Sequence, residues 1–210
     1  MKKSIIGIMM AVTIVGSSLA FPVQAYAQYV NQGEVLDENK GVIEINSGTV
    51  TENLRTVTTN YGTVKHNHNV ATVTTNNRTV ENNNGTVETN NGTVENNLGT
   101  VTTNNQGATV TTIGANGKVI DNNGTVEYNR GTVTNNNGKV TSNYQGATVT
   151  TNNGTVTNNY GEVTSNNQGA TVTTNDQGAT VTTNNGTVTD NNGTVTTNGA
   201  NGIVTFNVSA

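Results

Sequence analysis

The chain has 210 residues, of which 31% are hydrophobic and only 10% are charged, and it contains no cysteine. This composition excludes disulfide bonds, and the formal net charge of −4 argues against a nucleic-acid partner. Low hydrophobicity is typical of disordered chains, but those are usually rich in charge and proline, and this chain has a single proline. Its abundant valine and threonine favour β-strands instead.

The first 27 residues have the features of a secretory signal peptide. Lys2 and Lys3 precede an apolar run over residues 5–20, and the small-residue sequence Ala-Tyr-Ala ends at Ala27. The apolar run is short for a membrane-spanning helix. We therefore expect cleavage before Gln28, a secreted product and no membrane insertion of the mature chain.

Residues 28–41 precede the repeats, and we expect them to form an irregular N-terminal cap. The segment carries four charged side chains, Glu34, Asp37, Glu38 and Lys40. Charge on the first edge of a β-structure discourages pairing with another chain. The repeat domain is then predicted over residues 42–210.

A repeat begins at Ile43 and continues to Val204, with one buried-type aliphatic residue per unit. Successive aliphatic positions lie seven or nine residues apart, in units that read T-V-x-x-N-N-G or T-V-T-T-N-N-Q-G-A. A coiled coil needs two apolar positions per seven residues and few glycines, so it is excluded. Each unit predicts a strand of three or four residues, followed by a turn in which Asn and Gly supply positive φ angles.

Two strand topologies fit this repeat. In a β-solenoid, two consecutive units form one coil, the coils stack through parallel strands, and two rows of valine pack against each other. In an antiparallel β-meander, each Asn-Gly forms a hairpin turn, but the valine face would then stay wet. The mixed unit lengths favour the all-β solenoid, and a largely disordered chain is the third alternative.

The aliphatic side chains alone cannot stabilise such a fold. One buried valine or isoleucine contributes about 1.5–3 kcal/mol, whereas ordering each residue of a unit costs about 1–2 kcal/mol. We therefore expect continuous backbone ladders, together with stacked Asn and Thr side chains that bond their counterparts one coil away.

The outward-facing threonines of the T-x-T units predict one comparatively regular face. On a two-unit coil this face is interrupted by Glu88, Lys118 and Glu162, and a surface that orders water into ice should tolerate few such charges. Ice binding is nevertheless one candidate function. The threonines of this face are Thr56, Thr58, Thr72, Thr74, Thr100, Thr102, Thr132, Thr134, Thr148, Thr150, Thr180, Thr182, Thr194 and Thr196.

Three tyrosines, Tyr128, Tyr144 and Tyr160, follow one another at intervals of sixteen residues. On a two-unit coil they should lie on one edge in successive coils. Sugar rings could stack on such a column, so carbohydrate binding to surface glycans is a second candidate function.

The sequence shows no catalytic constellation, and we expect neither an enzyme nor a cofactor. Glu81 and Glu95 should stack on one face, but nothing predicts a cleft around them. His66 and His68 are two residues apart and could face the same side of a strand. Two ligands, however, do not complete a metal site. We therefore predict no metal site.

The units between Gly41 and Val208 resemble those of bacterial secreted β-solenoid repeat proteins of the adhesin and filamentous-haemagglutinin type. The resemblance lies in coils rich in Asn, Gly, Thr and Val, and it implies a role at the cell surface or in the extracellular matrix. It transfers no functional residue. The T-x-T pairs are also similar to those of insect β-solenoid antifreeze proteins, which are braced by disulfides that this chain lacks.

The last residues, NGIVTFNVSA, continue the strand pattern through Val204, Phe206 and Val208 without any charge. An uncharged strand edge recruits further strands. The sequence thus predicts a secreted, non-enzymatic structural or adhesive repeat protein of a bacterial surface or matrix, which self-associates through its C-terminal edge.

Overall fold

The structure, a computed structural model, describes residues 29–207, which form twenty-four β-strands and connecting loops. The expected signal peptide and its cleavage point lie outside the described residues. Within them, no helix is present that is long and apolar enough to cross a membrane.

The strands form two parallel sheets of twelve strands each, one built from the odd-numbered strands and one from the even-numbered strands. The odd sheet contains β1 (Tyr29–Asn31), β3 (Val42–Asn46), β5 (Thr56–Asn60), β7 (Thr72–Asn76), β9 (Thr86–Asn90), β11 (Thr100–Asn104), β13 (Lys118–Asn122), β15 (Thr132–Asn136), β17 (Thr148–Asn152), β19 (Glu162–Asn166), β21 (Thr180–Asn184) and β23 (Thr194–Asn198). The even sheet contains β2 (Val35–Asn39), β4 (Thr49–Asn53), β6 (Thr63–Asn67), β8 (Thr79–Asn83), β10 (Thr93–Asn97), β12 (Thr109–Ile113), β14 (Thr125–Asn129), β16 (Lys139–Asn143), β18 (Thr155–Asn159), β20 (Thr171–Asn175), β22 (Thr187–Asn191) and β24 (Ile203–Asn207).

This arrangement confirms the predicted β-solenoid with two units per coil and excludes the antiparallel meander. Each strand pairs in parallel with the strand two units away, so that Val101 lies opposite Val87 on one side and Val119 on the other. The valines of both sheets pack into one continuous core and are fully buried in nearly every coil. The nine-residue units lengthen only the loops, because all strands from β2 onward have five residues.

The strands are longer than the predicted three or four residues, and their fifth residue is asparagine in all but one case. In the pattern typified by Thr148–Asn152, the second and the fifth residues are buried while the third and fourth are not. A regular strand would alternate its side chains, so the backbone changes direction around the third and fourth residues. This bend brings the asparagine inside.

The buried asparagines form two hydrogen-bonded ladders along the solenoid. Each side-chain Nδ2 donates to the Oδ1 of the asparagine in the next coil, at 2.7–2.8 Å, as in the steps from Asn122 to Asn136 and from Asn136 to Asn152. The odd-sheet ladder runs without a break from Asn31 to Asn198. Ile113 interrupts the even-sheet ladder once. The expected Asn-to-Asn bonds between coils are thus confirmed.

Asparagine does not supply the positive φ angles that the sequence predicts for the turns. Among the described residues, positive φ occurs only at glycine, in Gly33, Gly107, Gly146, Gly169 and Gly178. The asparagines instead have ordinary backbone geometry. The amide of the asparagine at the end of a strand stabilises the stack of coils, because the bend of the strand brings it inside.

The solenoid begins earlier than expected. Most of residues 28–41, expected to be an irregular cap, form β1 and β2, which pair with β3 and β4. The sequence Val-Leu-Asp-Glu-Asn of β2 matches the strand pattern, with Leu36 in the core and Asn39 in the ladder. Leu36 lies seven residues before Ile43, which is the spacing of the repeat, so an alignment that begins at Ile43 starts one coil too late.

Candidate functional site

The threonine face predicted from the sequence lies on the odd sheet. All fourteen of its threonines occupy the first and third positions of seven odd-numbered strands, β5, β7, β11, β15, β17, β21 and β23. They are half-buried, except in β23, where they are exposed. Glu88, Lys118 and Glu162 occupy the same positions of β9, β13 and β19. The face therefore consists of runs of at most two uninterrupted coils.

The even sheet carries a longer uninterrupted run of threonine pairs. Adjacent strands β18, β20 and β22 present threonine at both outward positions. These six residues are Thr155, Thr157, Thr171, Thr173, Thr187 and Thr189. Neighbouring pairs are one strand spacing apart, about 4.8 Å.

The three tyrosines lie together on one edge of the solenoid. This edge, called here the tyrosine edge, is formed by the loops that lead from each even strand to the next odd strand. The ring centroids of Tyr128 and Tyr144 are 6.3 Å apart, and those of Tyr144 and Tyr160 are 6.1 Å apart with planes inclined by 20°. Tyr128 belongs to β14 itself, whereas Tyr144 and Tyr160 follow the ladder asparagines of β16 and β18. The sequence-predicted residues are therefore brought into one column.

Arg130 belongs to the same edge and was not identified from the sequence. It follows the ladder residue Asn129, and its guanidinium carbon lies 5.0 Å from the ring centroid of Tyr144. A cation over an aromatic face is attracted by the ring quadrupole. Arg130 and Tyr160 thus both contact the central tyrosine. The position of Arg130 one coil before Tyr144 could have indicated this contact.

A groove adjoins Tyr160, at the point where loop lengths alternate along the tyrosine edge. The loop over residues 160–161 has two residues, and the loops one coil to either side, over residues 144–147 and 176–179, have four each. The shorter loop lies recessed between two protruding ones. The resulting groove has a volume of about 340 Å³ and is lined by Gln145, Gly146, Ala147, Thr148, Tyr160, Gly161, Glu162, Gly178 and Thr180.

Glu162, the first residue of β19, is the charged residue of this groove. The hydroxyl groups of Thr164 and Thr182 both donate to its Oε1, at 3.1 and 3.3 Å. These bonds hold the carboxylate close to the sheet surface. The sequence reveals Glu162 only as an interruption of the threonine face, because its bond to Thr182 depends on how successive coils stack.

The other ionisable candidates lie apart from the groove. Glu81 and Glu95 occupy equivalent positions of the neighbouring strands β8 and β10. His68 contacts the carboxylate of Glu52, and His66 is hydrogen-bonded to Asn82. Within residues 29–207, no group of three His, Cys, Asp or Glu side chains is placed to hold a metal ion.

A second asparagine column lies outside the core, on the edge opposite the tyrosines. Asn77, Asn91 and Asn105 form one hydrogen-bonded run of it, with bonds of 2.9 and 2.6 Å. A second run comprises Asn123, Asn137, Asn153 and Asn167, with bonds of 2.7–3.0 Å. Where an odd strand ends in such an Asn-Asn pair, the first residue belongs to the core ladder and the second to the outer column, as in Asn136 and Asn137.

Comparison with known proteins gives no relative for this chain. No protein-family model matches it, and neither does any curated protein or any solved structure.

Proposed function

We propose that the chain is a secreted structural or adhesive element of a bacterial surface or extracellular matrix, of the adhesin and filamentous-haemagglutinin type. One observation carries the proposal: two uninterrupted twelve-stranded parallel sheets share one core and two asparagine ladders. Twelve stacked coils give a rod about 50 Å long. Such a rod presents the same polar side chains repeatedly along its length, which suits multivalent contact with a repetitive partner.

Fractionation of producing cells, followed by mass measurement, tests the export on which this function depends. We expect the chain in the surface or medium fraction, with a mass corresponding to a start at Gln28. A chain found only inside the cell, with its first 27 residues intact, would contradict the proposal.

An attachment assay tests the adhesive role. Beads coated with the mature chain should bind to the surface or matrix of producing cells more strongly than beads coated with heat-unfolded chain. Equal binding of both would show that the folded rod is not responsible.

Ice binding is the second candidate, and the uninterrupted threonine pairs of β18, β20 and β22 favour it. The three pairs form a regular patch without charge. Thermal hysteresis in the mature chain, abolished by Thr173→Lys in the centre of the patch, would support it. A freezing point equal to the melting point would exclude it.

A further inference from the structure

The groove at Tyr160 owes its shape to the order of loop lengths. Its walls are the loops over residues 144–147 and 176–179, which belong to coils on either side of Tyr160. Two coil spacings separate them by about 9.5 Å between backbones. The Tyr160 loop lies between them, one coil spacing from each wall, and forms the floor of the groove.

The lining of the groove combines an aromatic surface with polar groups. Tyr160 is 40% exposed, so part of its ring is accessible to a ligand. Glycine and alanine of the two walls add little side-chain bulk, while Gln145 and Glu162 give the same lining one amide and one carboxylate side chain. A pyranose ring needs this combination, because it has an apolar C–H face and a rim of hydroxyl groups.

The charge of the groove narrows the choice of ligand. Its lining includes the acidic residue Glu162 and no basic residue. The cation on the tyrosine edge near this groove is Arg130, and its guanidinium group lies on the ring of Tyr144. A polyanionic glycan would therefore meet repulsion in the groove, whereas neutral sugars or sugars with amino groups would not.

The loop of Arg130 has the same arrangement of neighbouring loop lengths as the loop of Tyr160. Arg130 also lies in a two-residue loop between two four-residue loops, those over residues 114–117 and 144–147. The first residue of that loop is therefore a cation, whose guanidinium group lies on Tyr144, whereas the first residue of the equivalent loop at Tyr160 is an aromatic ring. The Tyr160 position thus combines the recessed loop with an available aromatic ring.

We infer that the groove at Tyr160 binds a pyranose unit of a neutral or amino-bearing polysaccharide, with the sugar ring stacked on Tyr160 and its hydroxyl or amino groups bonded by Glu162 and Gln145. This inference names the ligand of the proposed adhesive function and rests on it. The bound unit would belong to a longer chain that leaves the groove at both ends.

Titration calorimetry of the mature chain with three soluble glycans tests the inference. The probes are chitohexaose, its fully deacetylated form and oligogalacturonate of similar length. We expect saturable binding of the first two and none of the polyanion. Tyr160→Ala should weaken binding about tenfold, the effect of losing one aromatic stacking contact.

Tyr61→Ala is the matched control. Tyr61 also follows a ladder asparagine in a two-residue loop and is 53% exposed, but it lies on the opposite edge. This variant should bind like wild type. Glu162→Gln should weaken binding of the deacetylated glycan more than that of chitohexaose, because it removes only the charge. Circular dichroism should show unchanged strand content in all three variants.

The outcomes separate the groove from the wider function. Equal binding by wild type and Tyr160→Ala, or binding of oligogalacturonate as strong as that of chitohexaose, would overturn the inference. If beads coated with the chain attach to cells and none of the glycans binds, the adhesive function stands and the groove assignment fails. If neither attachment nor glycan binding occurs, both fail.

Discussion

At the scale of the residue, asparagine at the end of every strand except β12 is the main departure from an ordinary core. Burying an amide without partners costs free energy, yet every polar side-chain atom buried within residues 29–207 has a hydrogen-bond partner. Asn136, for example, accepts from Asn122 and donates to Asn152 and to the backbone carbonyl of Thr155. The cost of burial is thereby offset in each coil.

The asparagine ladder predicts a large loss of stability for Asn136→Asp. The carboxylate cannot donate to Asn152, and it faces the Oδ1 atom of that residue from a fully buried position. We expect a loss of about 3–5 kcal/mol in the free energy of unfolding at pH 7, the usual cost of an unpaired buried charge. Chemical denaturation followed by circular dichroism measures it.

Asn137→Asp provides the control, since Asn137 is the exposed residue next in the chain and belongs to the outer column. It should change stability by less than about 1 kcal/mol. In the Asn136→Asp variant, burial raises the pKa of the introduced carboxyl above its unfolded value of about 3.9. The destabilisation should therefore be smallest below about pH 4 and should grow as the pH rises. A loss independent of pH would contradict the ladder explanation.

At the scale of the element, the two loop types use glycine for different reasons. In four-residue loops such as that over residues 167–170, Ala170 donates to the carbonyl of Asn167 and Gly169 has a φ of 84°, which is the geometry of a type II turn. In two-residue loops the reason is space. A Cβ on Gly124 would lie 2.3 Å from the carbonyl oxygen of Ala108.

Gly169→Ala tests the turn geometry without any steric clash, because nothing lies within 4 Å of the added Cβ. The left-handed conformation should cost about 1–2 kcal/mol of stability with an L-residue. The neighbouring change Gln168→Ala should alter stability by less than about 0.5 kcal/mol. Equal effects of the two substitutions, measured by thermal unfolding, would mean that the turn adapts its backbone.

At the scale of the whole molecule, each strand between the ends of the described residues has a parallel partner on both sides. Within residues 29–207, β23 and β24 have one partner each, as β1 and β2 do, and they are the most exposed strands of the two sheets. Ile203 and Phe206 are 56% and 64% exposed. We propose that copies of the mature chain associate through this edge.

Replacing both Ile203 and Phe206, the exposed apolar residues of β24, by Lys should abolish association, because charge on a strand edge opposes pairing. Light scattering over several days measures the association, and circular dichroism should show unchanged strand content. Lysine at Thr155 and Thr157 of the interior strand β18 adds the same charge away from the edge and should leave association intact. Wild-type chain that stays monomeric at high concentration would refute the proposal.

The sequence by itself determined the repeat, the two-unit coil and the core valines, because one aliphatic residue per unit can be buried in only a few ways. It also placed the tyrosines on one edge, since their spacing matches the coil. The bend within each strand was not predictable, because strict alternation would leave the fifth residue outside. Only the tertiary structure decided that this asparagine lies in the core, and that loops from three successive coils together form a groove at Tyr160. Both depend on how successive coils stack, which a single unit does not contain.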